Sequence, residues 1–399
     1  VFKKEKTLMS IKELLNTYIQ FKEGSLTNRF FKHHHIVALV NKLPDTFKVT
    51  IVGLSVEKRD LHLIEWGSGP IKVFLWSQMH GDEATGTMAL FDLINFLQDQ
   101  SSSEIVKSLN SDCKLYFLPM VNPDGAEKFT RRNSQQIDIN RDYKAIVSTE
   151  AQVLKRLREE INPEYGFNLH DQSTLWSVSR TGNPAALSYL APAYNESLEI
   201  NNIRKNAMLI IADIFKTLNT FLPDRIGLFN DEYEERAFGD NFQQSGTSTL
   251  LIEAGGMIDD EEKQDTRKYF FLSILTGLIS IQSNSFKTLT IEDYSKIPAN
   301  SKGIFHIIIR NVLVNGIIAS IGVCYEEEPV PDGLSTVKTY FIKDLGDLDD
   351  LNAYHTYDGI ALKVVGDVKL NKNADFQLYE AEHLLLSFKN GNLQTKLNH

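Results

Sequence analysis

The chain has 399 residues, with 42 Lys and Arg against 52 Asp and Glu and a formal net charge of −10; 42% are hydrophobic and 24% charged. These ordinary globular proportions allow a large buried core and exclude wholesale disorder. An acidic balance with no long Lys/Arg run leaves neither nucleic acid nor an anionic membrane surface as an expected partner.

At about 150 residues per domain, the length suggests two or three compact units. The opening VFKKEKTLMS has no apolar stretch followed by small residues at a cleavage site, so no secretory signal is read and a cytoplasmic location is expected. Ser10 to Glu13 fits a capping box, and Leu14, Leu15, Tyr18 and Ile19 give a helical apolar stripe, so residues 1–49 read as an N-terminal helical extension. The adjacent His33, His34 and His35 diverge in direction and read as a surface or packing run.

From residue 50 to 285, short apolar runs alternate with helical stretches. Residues 71–77, 114–120, 165–169 and 247–252 read as buried strands; 84–97, 150–161, 197–221 and 266–281 read as helices. This alternation predicts an α/β fold, a mainly parallel mixed sheet flanked by helices. From residue 286 to 399 the runs 305–309, 312–323, 337–342, 360–365 and 376–379 are β-rich, with turn signals at Pro331-Asp332-Gly333 and Asn390-Gly391, and predict a small β-rich C-terminal domain. The apolar stretch from Ile304 to Tyr325 is interrupted by His306, Arg310, Asn311 and Asn315, which argues against a membrane span. Cys113 and Cys324 lie far apart and form no CxxC, so neither a disulfide framework nor a thiolate metal site is indicated.

Four of the central apolar runs end in polar residues: His80-Gly81-Asp82-Glu83, Asn122-Pro123-Asp124-Gly125, His170 and Glu253. Ligands of open α/β sheets collect beyond the carboxyl ends of the strands, so these endings are expected to share one crevice. Two imidazoles and a carboxylate are a common set for catalytic zinc, and His80, Glu83 and His170 would supply it. Taken singly, each has a plainer reading: a solvated turn, a hydrogen-bonded histidine, and for Glu253 a helix cap. Arg131, Arg132 and Arg141 could form a surface ion-pair network. A second H-x-x-E, His62 to Glu65, lies in an alternating run, where residues three apart face opposite ways and do not chelate.

Together these residues resemble the zinc metallocarboxypeptidases of the carboxypeptidase A type over roughly residues 50 to 285. The pieces SQMHGDE, LPMVNPDG, TRRNSQQIDINRDY, FNLHDQ and TLLIEAGG follow the family's order. The resemblance implies a carboxypeptidase-like fold and one zinc ion on His80, Glu83 and His170. It implies Glu253 as general base, Arg131 as the group meeting the oxyanion, and Asp138 orienting His80. Asn140 and Arg141 would hold the substrate's free carboxylate, and Tyr233 is the candidate for a tyrosine on a mobile loop. Asp142 replaces the family's second asparagine, an added acid expected to weaken the carboxylate clamp. The implied partner is a peptide or acyl amino acid with a free carboxylate.

Rival readings share the fold. Aspartoacylase and succinylglutamate desuccinylase, which cleave N-acyl amino acids, carry an H-G-x-E motif and a β-rich C-terminal part, and a murein-peptide amidase is a further possibility. The Asn122 to Gly125 motif and the position of Arg131 favour the peptidase. A non-catalytic binding protein would have lost a ligand or the base, and no G-x-S-x-G elbow supports a serine hydrolase.

Overall fold

The computed structural model describes residues 11–99, 103–179, 181–330, 333–359 and 361–397. Ser10, the first residue of the expected capping box, and Pro331, Asp332 and Ile360 of the expected β-rich region lie outside them. Two compact units are formed, one by residues 11–174 and 185–300, the other by residues 175–184 and 301–397.

The first unit is built on β1 (Lys48–Leu54), β2 (Asp60–Trp66), β3 (Ile71–Ser77), β4 (Cys113–Leu118), β5 (Tyr165–Asp171), β7 (Leu187–Leu190), β8 (Ile226–Leu228) and β9 (Ser248–Ala254); β6 (Trp176–Val178) belongs to the second. The sheet order is β1-β2-β4-β3-β5-β9-β7-β8. β4, β3, β5 and β9 run parallel, whereas β1, β2 and the β7/β9 pair are antiparallel. The central strands are buried along nearly their whole length, which is why they read as continuous apolar runs rather than alternating ones. Helices Thr85–Asp99, Asn202–Leu218 and Gln264–Ser283 pack in one core with Val73, Leu75 and Phe167. Helices Thr149–Ile161 and Phe238–Gln244 pack in another with Phe74 and Trp76. Alternate residues of β3 thus feed opposite faces. Among the described residues, no helix is long and apolar enough to cross a membrane.

Two expected boundaries shift. Tyr18, Phe21, Leu26, Phe31, Ile36, Val40 and Phe47 bury in the first core, so these residues are part of the unit and not an appended extension. Phe286, Leu289, Tyr294 and Ile297 join the same core, which carries the unit to residue 300. The N-terminal segment is held by a buried ion pair. Asp92 receives Arg267 Nε at 2.7 Å and Nη2 at 2.5 Å, the Tyr18 hydroxyl at 2.5 Å and Glu23 N at 2.7 Å. Arg267 also donates to the carbonyls of Leu26 and Glu23. Both side chains are fully buried.

In the second unit, β10 (Asn300–Lys302) pairs with β6, and a larger sheet runs through β11 (Ile304–Val314), β12 (Ile317–Pro329), β13 (Thr336–Gly346), β14 (Asn352–Tyr357), β15 (Leu362–Asp367), β16 (Asp375–Glu380), β17 (His383–Lys389) and β18 (Asn392–Leu393). The β-rich run 312–323 is divided between two strands, β11 and β12. Asn315 and Gly316 take positive φ of 51° and 84°, the conformation a two-residue hairpin turn needs, and Leu313 pairs with Ile318 across it. His306 is buried, stacks on Tyr325 with ring centroids 3.6 Å apart, and accepts from Tyr325 N at 3.1 Å.

Two outcomes follow. Asp92→Ala leaves Arg267 buried and unpaired and should cost about 3–5 kcal/mol in urea denaturation; a loss under about 1 kcal/mol would show that the pair is not what holds the N-terminal segment. Burial, with Lys338 and His355, pushes the His306 pKa down to about 3. A folded pKa below the unfolded one means stability that is complete at neutral pH and falls away as pH drops from about 6.5 toward the folded value. His306→Gln, which keeps an acceptor for Tyr325 N, should therefore lose less melting temperature between pH 7 and 4 than the parent chain; equal losses would refute the assignment.

Candidate metal centre

The centre is assembled where β3, β4, β5 and β9 end. After β3, Gln78 turns the chain at a positive φ of 54°; after β4, Met120 does so at 57°. Such backbone is costly for non-glycine residues and is held here by its surroundings. Gln78 donates to the Gly81 carbonyl at 2.9 Å and accepts from Thr87 Oγ1 at 2.9 Å. The two turns are tied by Val121 N to Ser77 O and Asn122 N to Gln78 O, each 3.0 Å. Asn122 Oδ1 caps the short helix Pro123–Lys128 through Gly125 N at 2.9 Å. A Cβ on Gly81 would stand 2.0 Å from the Gly125 carbonyl carbon, so the two motifs interlock glycine against glycine. Asp124 is structural: it accepts from Ser55 Oγ, Glu57 N, Arg59 Nη1 and Ser134 Oγ.

This scaffold presents Glu83 between two imidazoles. Glu83 Oε1 lies 2.6 Å from His80 Nδ1 and Oε2 lies 2.7 Å from His170 Nδ1, with ring centroids 5.0 Å apart and all three side chains buried. Their ligand atoms fall within 4.8 Å of one another. On the far side of the His80 ring, Nε2 meets Asp138 Oδ1 at 3.1 Å, and Asp138 is itself tied to Arg131 Nε at 3.0 Å. A carboxylate there fixes the Nε2–H and the ring orientation, so that Nδ1 is the atom His80 would turn to a metal. Burial works to raise the Glu83 pKa, but the imidazoles of His80 and His170 hold it well below the ordinary carboxylate range. Two ring nitrogens and an anionic oxygen converging in a buried spot are the donor chemistry zinc takes, so these residues fit that ion.

Glu253 ends β9 in register with His170 on the parallel β5, so the two side chains leave the same face of the sheet one strand apart. It is buried, its Oε2 has no hydrogen-bond partner among the described residues, and its pKa lies well above the ordinary value because of burial, then the negative charges of Glu83 and Asp171. Gly255 follows where a Cβ would come within 1.8 Å of the Ala185 carbonyl. Arg131 reaches the centre from the side, with Nη1 3.3 Å from Glu83 Oε1.

Asn140 accepts from Phe238 N at 3.0 Å, which orients its amide. The acid beside Arg141 is not the expected one. Asp142 turns away and takes Val147 N, Ser148 N and Ser148 Oγ, whereas Glu234 Oε2 lies 3.1 Å from Arg141 Nε. Tyr233 is half-buried, with Asp240, Glu235, Lys144 and Glu196 as charged neighbours. His62 and Glu65 lie on β2, with Glu65 paired to Lys48 and Lys114; His33 bonds the Asp60 carbonyl. Sequence reasoning missed Asp171, Thr85 and Lys263 beside the centre. Asp171 carried a signal in its place next to His170, but Lys263 carried none.

Residues 33–165 match the sequence profile of a family described as zinc carboxypeptidase. The chain is 28% identical over 137 residues to carboxypeptidase D of Anas platyrhynchos, covering 28% of this chain and 10% of that protein. It is 28% identical over 141 residues to the carboxypeptidase N catalytic chain of Homo sapiens, covering 28% and 31%. The matches thus span a tenth to a third of these curated relatives. In fold, a metallo-carboxypeptidase from Burkholderia cenocepacia superimposes with a TM-score of 0.52 at 16% identity, over 64% of this chain and 70% of that one. The fold is carboxypeptidase-like.

Metal analysis after chelation and zinc reloading should find one ion per chain, lost in His80→Ala and His170→Ala. Gly81→Ala leaves every ligand in place but forces the two turns apart, and should lower zinc affinity roughly tenfold or more with about 1–3 kcal/mol of stability. Wild-type affinity in that variant would disprove the interlock.

Proposed function

We propose that this chain is a member of the zinc carboxypeptidase family and a zinc-dependent metallopeptidase that hydrolyses the C-terminal peptide bond of peptides through an activated water. The observation that carries the reading is Glu253: a buried carboxylate with a free oxygen, in register with one histidine of a His/Glu/His donor set.

His80, Glu83 and His170 would hold the ion. When bound, zinc supplies a Lewis acid for the scissile carbonyl and lowers the pKa of water. Glu253, its proton affinity raised by burial and by the neighbouring acids, takes a proton from the attacking water and later returns it to the leaving amine. Arg131, half-exposed and pinned through Asp138, offers its guanidinium to the oxygen on which negative charge develops. Asp138 keeps the His80 ring in one tautomer. Asn140 and Arg141 recognise the terminal carboxylate, and the Arg141 fork does so once Glu234 yields its place. Tyr233, half-buried in the segment 229–237, would contact the substrate.

The substrate class is tested by mass spectrometry after incubation of the zinc-loaded chain with unblocked peptides, murein peptides and N-acyl amino acids. Loss of single C-terminal residues from peptides is expected; cleavage of acyl amino acids alone would replace the peptidase reading by an amidohydrolase. Glu253→Gln should keep zinc and lose at least about a thousandfold in kcat. Arg141→Ala should raise KM for free carboxylates far more than for amidated peptides, and an equal rise on both would remove it from the clamp.

A further inference from the structure

A lysine with almost no exposure is rare unless paired, and Lys263 is 4% exposed. Its ammonium donates to Asp171 Oδ2 at 3.1 Å and to the Ala254 carbonyl at 2.9 Å. These acceptors are the residues immediately after His170 and immediately after Glu253. Lys263 therefore spans the ends of β5 and β9 beside the groups assigned to hold metal and to move the proton.

Both acceptors are wired further into the centre. Asp171 Oδ2 also receives Thr85 Oγ1 at 2.7 Å, and Asp171 N donates to Glu83 Oε2 at 3.2 Å. The Ala254 carbonyl also receives Gln172 N at 2.9 Å. The backbone of Lys263 adds a separate observation. It takes a left-handed φ of 51°, uncommon for a long side chain, directly before the helix Gln264–Ser283. That turn is secured by Asp260, whose carboxylate accepts from Asp265 N, Thr266 N and Thr266 Oγ1 while its carbonyl accepts from Lys263 N. Stored strain of this kind recurs at functional sites. A buried ion pair is in itself weak support for stability, so retaining one here calls for another reason.

We propose that Lys263 is a positioning residue for the hydrolysis: it straps the end of β9 to the end of β5 and offsets the charge of Asp171, fixing Glu253 relative to the metal donors. This rests on the reading of Glu253 as base and deepens it. Without the strap, zinc still has its three ligands and the substrate carboxylate still has its clamp, but the base is no longer held in line. Displacements near 1 Å at a reacting group cost about a hundredfold in rate.

The test compares Lys263→Met with the parent chain and Glu253→Gln, all zinc-loaded. Lys263→Met should retain one zinc, keep KM within roughly threefold and lose about a hundredfold in kcat on an unblocked peptide. After cobalt replaces zinc, its visible absorption should shift in the direction seen for Glu253→Gln. A kcat within roughly threefold of the parent, a loss carried by KM alone, or an unmoved cobalt spectrum would overturn the proposal. If Lys263→Met does not fold, Lys263→Gln removes the charge while keeping a donor for Ala254 and is read by the same criteria. If the parent chain hydrolyses no peptide, the functional reading fails, and the cobalt spectra by themselves decide the strap.

Discussion

A carboxylate buried between two imidazoles is the constraint around which the first unit is organised. Glu83 is 8% exposed, and in apolar surroundings a lone carboxyl would take up a proton. His80 at 2.6 Å and His170 at 2.7 Å reverse that preference and keep it anionic. The arrangement demands that a strand-to-helix turn and a separate strand end meet within a few ångströms. Most unusual backbone nearby serves that meeting.

A parallel sheet supplies the geometry at long range. Register places His170 beside Glu253, and β3 on the other side of β5 delivers His80 and Glu83 three and six residues past its last residue, Ser77. Short-range geometry comes from the turns. Gln78 and Met120 reverse the chain at positive φ, and Gly81 against Gly125 lets two backbones approach where a methyl group would collide. Behind the sheet, Arg267 and Asp92 satisfy each other and the N-terminal backbone, so a region that reads as an appendage is locked into the core that supports the centre.

Charge is apportioned with equal care. Asp138 serves His80 and Arg131 at once, so one acid orients an imidazole proposed to hold the metal and pins the cation proposed to meet the oxyanion. Asp142, which the pattern of residues makes a competitor for Arg141, is spent capping the helix Thr149–Ile161 through Ser148, and Glu234 from a distant segment is the acid that reaches the guanidinium. Adjacent residues differ in role because their neighbours in space differ.

How much was legible follows from where each signal resides. Continuous apolar runs marked β3, β4, β5 and β9 because both faces of these strands are buried. The clustering of His80, Glu83, His170 and Glu253 was legible because they follow such runs directly and stand in ordered motifs. Less was legible where partners are remote. The strand break at Asn315-Gly316 was obscured because the flanking residues stay apolar, and the N-terminal segment looked peripheral because its anchor, Arg267, is more than two hundred residues away. The sequence by itself determined the alternating α/β pattern, the donor types and their order, since these depend on local periodicity and side-chain chemistry. Only the tertiary structure decided which acid faces Arg141, that Asp171 and Lys263 close the strand ends, and where the first unit stops, because each is a contact between segments whose separation along the chain carries no record of their distance in space.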